Sequence, residues 1–111
     1  MDFHAKAAAY ADRIEQELRG LGWWRESAMP DAAFDSQNAF FSDTMAYSEW
    51  LQFVLLDRIR DIAKNGGTFP RESNVGAQAV REFDGYVEAR DLVVLLSEFD
   101  AFIEHRHPDT H

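Results

Sequence analysis

The chain has 111 residues, no cysteine, and 20 acidic against 11 basic residues, for a net charge of −9. That length fits one domain, residues 1–111, able to bury roughly 65% of the surface its unfolded form exposes. Without cysteine there can be no disulfide framework, thiol nucleophile or thiolate metal site, which suits a cytoplasmic protein.

A first helix is expected from Phe3 to Arg19. Asp2 is placed to cap it, and Ala7, Ala11, Ile14 and Leu18 recur at the spacing of one helical face. Gly20 and Gly22 supply the stop. Residues 23 to 44 then read as a long connection, with a turn at Met29-Pro30-Asp31 and room for a short helical turn near Asp31–Phe34. Trp23 and Trp24 are too bulky and apolar to stand in water, so the connection should pack on the core. Phe34, Phe40 and Phe41 are further anchors.

The second helix is expected from Ala46 to Asn65. Trp50, Leu51, Val54, Leu55, Ile59 and Ile62 form its apolar stripe, with Phe53 at the edge. Thr44 is positioned as cap, and Glu49 lies near the positive end. Asp57–Arg60 and Asp61–Lys64 have the spacing of ion pairs. Gly66 and Gly67 end the helix, and Pro70 prevents its resumption. A shorter helix spans Ser73 to Phe83, with Ser73 or Asn74 as cap and Val75, Ala79, Val80 and Phe83 as its apolar face. Gly76 weakens it. After a turn at Asp84-Gly85, a last helix runs from Val87 to His105 on Leu92, Leu95, Leu96, Phe99, Phe102 and Ile103. The pattern predicts an all-α fold, an antiparallel bundle of four helices with a long packed connection between helices one and two.

Six of the nine excess negative charges lie between Glu82 and His111. Such a face repels phosphate backbones and anionic lipid, so direct nucleic-acid binding is not expected. It serves solubility or docks a basic partner. No apolar run approaches the roughly 18 residues of a membrane span, and the first residues lack the pattern of a secretory signal.

Catalytic constellations are weak. Asp35, Asp43 and Glu49 lie among aromatics and hydroxyl residues, where a buried carboxylate can act as an acid, but caps and turns explain the same residues. The serines have no nearby histidine. Gly66-Gly67-Thr68 is a helix stop, since Lys64 is on the wrong side of the glycines for a phosphate loop. His105, His107, Asp109 and His111 alternate in a tail that lacks the support a metal site needs. No catalytic residue, metal or cofactor is expected.

The aromatic segment carries a resemblance. Trp24-Arg25, Phe34-x-Ser36, Phe40-Phe41-x-Asp43-Thr44-Met45, Glu49-Trp50-Leu51-Gln52-x-Val54-Leu55 and Arg58 resemble the signature of the YqcC-like family of small bacterial helical-bundle proteins. Phe69-Pro70 also matches. Ala39 and Tyr47 stand where relatives have proline, which should loosen the entry to the second helix. The resemblance implies no enzymatic activity. It implies an accessory role in tRNA modification, because members are often encoded beside a tRNA pseudouridine synthase.

Two functional readings follow. One is a non-catalytic interaction protein whose protein partner, such as a tRNA-modifying pseudouridine synthase, meets Phe40, Phe41, Asp43, Thr44, Gln52 and Arg58 within an acidic rim. Core packing explains the aromatics among these residues, and Gln52 has the least obvious structural reason to be there. The alternative is a small-molecule binder with an aromatic-lined pocket between the bundle and the connection. If Trp23 or Phe40 were exposed, a homodimer would cover it.

Overall fold

The computed structural model describes residues 2–105. Four helices make up the bundle: α1 (Phe3–Gly20), α2 (residues 47–65), α3 (Val75–Glu82) and α4 (Arg90–Glu104). Short 3₁₀ turns at Asp31–Phe34 and Ala39–Phe41 punctuate the connection, and another at Val87–Ala89 leads into α4. Among the described residues there is no strand.

Asp2 caps α1 as expected, accepting from the Ala5 N–H at 2.7 Å. The helix ends where Gly22 turns left-handed (φ 76°), so that Trp23 N–H reaches back to the Leu18 carbonyl and Gly22 N–H to that of Arg19. Ala7, Ala11, Ile14 and Leu18 are its buried face.

Helix α2 contains a five-residue π-helical turn, Leu51–Leu55. The Leu56 N–H bonds the Leu51 carbonyl, and both leucines are fully buried. A regular 3.6-residue period does not put Leu51 and Leu56 on one line, which is why Leu56 was absent from the expected stripe. The start of α2 also departs from expectation. Thr44 does not cap it. Ala46 precedes the first turn and has no side-chain acceptor, so Glu49 alone closes this end by accepting from the Ala46 N–H at 2.8 Å.

The expected ion pairs within α2 give way to longer-range ones. Arg60 reaches across to α1, 2.9 Å from Glu15 and 3.0 Å from Asp12. Asp61 instead accepts from the Asn65 amide. The hydrogen bond from Arg19, against some burial and with help from Arg60, holds the Glu15 carboxyl below its ordinary pKa.

Helix α3 is capped from outside itself, by neither Ser73 nor Asn74. Asp100 of α4 accepts from the Val75 and Gly76 N–H groups at 3.0 and 2.8 Å, and the Ser73 hydroxyl donates to it. Burial pushes the Asp100 carboxyl up, against the pull of those donors. Gly76 proves to be more than a weak point in the helix. A Cβ there would lie 2.6 Å from the Ser97 backbone, so glycine permits the close approach of α3 and α4. Val80, expected on the apolar face, stands out in solvent.

Candidate functional site

The connection between α1 and α2 is gripped by two side chains of α2. Gln52 is 7% exposed. Its Oε1 accepts from the Arg25 N–H at 2.9 Å, and its Nε2 donates to the Arg25 carbonyl at 2.7 Å. One turn earlier, Glu49 takes the Arg25 guanidinium at 2.9 Å while capping its own helix. Nearby, Trp24 lies under the Arg19 guanidinium, and Trp23 packs against Phe83 and Tyr86. Gln52 therefore has a structural role. It is buried and hydrogen-bonded at both ends of its amide.

Farther along, the chain makes an unusual turn. Phe40 and Phe41 both have left-handed backbone, with φ of 56° and 53°, and the Ser42 N–H closes the turn on the Ala39 carbonyl. Glycine or asparagine adopts such angles cheaply. For two consecutive phenylalanines the cost is on the order of 1–3 kcal/mol each. Polar residues brace it. Thr44 Oγ1 donates to the Ala33 carbonyl at 2.6 Å, and the Ser36 hydroxyl donates to Asp43. Asp43 and Thr44 thus hold the turn and cap no helix.

The strained turn aims two rings in different directions. Phe40 packs edge-on against Trp50 and Tyr47, with centroids 4.9 and 5.5 Å apart. Phe41 meets the exposed Phe34 edge-on at 6.3 Å. Tyr47 stands at the entry to α2. It is buried, stacks on Trp50, and donates its hydroxyl to the Val75 carbonyl at 2.7 Å. Burial, with Asp100 and Glu82 nearby, pushes its phenol far above the ordinary range.

Phe40 also forms one lip of a cleft of about 270 Å³, floored by Trp50, Ile59, Phe69 and Ile103. Arg58 and Glu72 stand among its polar lining residues. Among the described residues, Arg58 makes no ion pair. The cleft lies between α2, residues 69–75 and α4, and meets the Trp23–Phe41 connection at Phe40. Of the six residues singled out from sequence, Phe40 and Arg58 meet at the cleft. Phe41, Asp43 and Thr44 belong to the turn beside it, and Gln52 faces Arg25 instead. Among the described residues, no three His, Asp or Glu side chains gather to hold a metal. His107, Asp109 and His111 lie outside the described residues.

A family model described as tRNA pseudouridine synthase C matches residues 6–102. The solution structure of Escherichia coli YqcC superposes with a TM-score of 0.83 at 28% identity, covering 94% of this chain and 90% of that one. The chain belongs to the YqcC-like family. YqcC of Escherichia coli K12 is 34% identical over 70 residues, 63% of this chain and 64% of that protein, so the match spans just under two thirds of the relative. A Haemophilus influenzae protein is 25% identical over 80% of this chain and 87% of its own length. A tRNA pseudouridine synthase C of Pectobacterium carotovorum is 36% identical over 58 residues, 52% of this chain and 15% of that enzyme. The two YqcC-like relatives carry no catalytic name. No helix among the described residues is long and apolar enough to cross a membrane.

Proposed function

We propose that this YqcC-like protein is a non-catalytic accessory protein that binds a tRNA pseudouridine synthase. The observation that carries the reading is the strained Phe40–Phe41 turn. Backbone strain of this kind persists only where the surroundings hold it, and it clusters at active sites, ligand clamps and switch regions. Here the turn seats the half-buried Phe41 against the exposed Phe34 and sets Phe40 at the cleft lip, near Arg58, which makes no ion pair among the described residues. Aromatic residues and arginine are the favoured anchors of protein interfaces.

The partner's identity is supported by the comparisons. A segment similar to this chain makes up 15% of a tRNA pseudouridine synthase C, which suggests that the two functions work in physical proximity. The net charge of −9 supports docking on a basic RNA-modifying protein over direct contact with RNA. Work on tRNA would place the protein in the cytoplasm. The partner surface comprises Phe40, Phe41 and Arg58, with Asp43 and Thr44 bracing it. Co-purification of the full chain with the synthase of the same organism tests the proposal. Retention of the pair by the wild type and its loss with Phe41→Ala is the expected result.

A second reading is that the cleft takes a small apolar ligand. Its volume is just below the range of drug-sized ligand pockets, which suits a small ligand, and its floor is apolar. Protection of Trp50 fluorescence by an added apolar ligand would favour it.

A further inference from the structure

Four of the largest exposed apolar side chains converge on one place at the α3–α4 junction. Val87 is 80% exposed, and Val80, Tyr86 and Val94 are 51–57% exposed. All four border one shallow depression of about 260 Å³, together with Phe83, Asp84 and Arg90. Scattered exposed valines need no explanation, but a contiguous apolar patch on a chain this small does.

The local fold does not require Val80, Val87 or Val94 to be apolar. Val80 and Val94 sit on the outer faces of α3 and α4, and the core is complete without them. Val87 occupies the lead-in to α4, where a polar residue forms the same backbone, while Tyr86 before it meets the Trp23 ring edge-on. Glu82 and Asp84 adjoin the patch from the end of α3, Glu88 follows Val87, and Asp91 lies beside Val94. Arg81 and Arg90 oppose them locally, and Arg13, beside Asp91 and Val94, is itself paired with Glu98. The result is an apolar centre within a net acidic rim.

We infer that this α3–α4 patch is a docking surface for a protein that presents an apolar knob flanked by lysine or arginine, and that the synthase supplies it. The charge pattern selects this occupant. A second copy would bring the same acidic rim against itself, and a nucleic acid or an anionic membrane would be repelled. The patch is linked to the Phe40–Phe41 turn through ring contacts: Phe40 touches Tyr47, Tyr47 touches Phe83, and Trp23 joins Phe83 to Tyr86. This assignment rests on the proposed protein-binding function and adds a second contact surface to it.

The test uses the full chain and the purified tRNA pseudouridine synthase C of the same organism, with Val87→Glu and Glu88→Lys as variants. Both positions are exposed and lie in the lead-in to α4, and an unchanged thermal unfolding curve checks that each variant folds. Binding weakened at least tenfold by Val87→Glu, and a shallower salt dependence with Glu88→Lys, is the expected result. If the wild type binds and Val87→Glu binds equally well, the patch assignment is overturned while the accessory role stands. If the wild type does not bind even at low salt, both are overturned. A self-associating wild type whose dimer is lost in Val87→Glu would assign the patch to a second copy and also overturn the inference.

Discussion

The carboxamide of Gln52 closes on the main chain of Arg25, pairing with its N–H at 2.9 Å and its carbonyl at 2.7 Å. Two hydrogen bonds to one residue, made from a rigid helix, fix where the connection leaves α1. Gln52→Leu keeps the bulk but strands both main-chain groups. Each stranded group costs up to 1–3 kcal/mol, less where water can reach it, so a loss of about 2 kcal/mol is expected. Urea unfolding should show a lower midpoint with an unchanged slope, since the fold itself persists.

The turn at Phe40 and Phe41 should respond unevenly to glycine. Both positions gain from relief of the left-handed backbone. Phe40→Gly also loses the ring contacts with Tyr47 and Trp50, and a net loss of about 2 kcal/mol or more is expected. Phe41→Gly loses the contact with Phe34 and a half-buried ring packed on the core, and a smaller net loss, about 1 kcal/mol, is expected. Comparing the two variants by thermal unfolding checks this. Equal losses would mean that the Phe41 ring contributes as much to the fold as the Phe40 ring.

Gly76→Ala should destabilise the bundle by about 2 kcal/mol or more, although alanine is the better helix former. The new Cβ would lie 2.6 Å from the Ser97 backbone, which cannot swing aside as a side chain could. Separation of α3 from α4 would also weaken the Asp100 cap, so amide exchange at Val75 and Gly76 should accelerate.

Glu15 should leave a mark on the acid side of the stability profile. Its folded pKa is depressed by the hydrogen bond from Arg19 and by Arg60. A depressed carboxyl stabilises the fold above its unfolded pKa and loses that contribution as pH falls through the folded value. The residue is partly exposed, so the contribution is less than about 1 kcal/mol. Glu15→Gln should be less stable than the wild type at neutral pH. The difference should vanish as pH falls below the ordinary carboxylate range, as measured by urea unfolding at a series of pH values.

Much of the architecture was legible in the sequence, because helical periodicity and glycine stops are local signals. The ends of α1 and the buried faces of α1 and α4 follow directly from spacing. Features made by residues distant in sequence were not legible. Nothing near Asn74 indicates that Asp100 caps α3, and nothing near Gln52 indicates that Arg25 lies against it. Leu56 was hidden by the π-helical turn, which breaks the period used to find it. The aromatic density around Phe40 and Phe41 was visible, but the left-handed turn was not, since phenylalanine carries no tendency toward that backbone. Thr44 looked like a cap because threonine before a helix usually is one. Here the hydroxyl is committed to the Ala33 carbonyl.

Direct binding between the full chain and the tRNA pseudouridine synthase C of its organism, titrated by calorimetry at low and then physiological salt, tests the accessory role most directly. The expected result is a saturable 1:1 complex that weakens as salt rises, in keeping with an acidic protein on a basic partner. Phe41→Ala should weaken it at least tenfold without unfolding the chain. No heat and no complex at low salt, where attraction between opposite charges is strongest, would contradict the role.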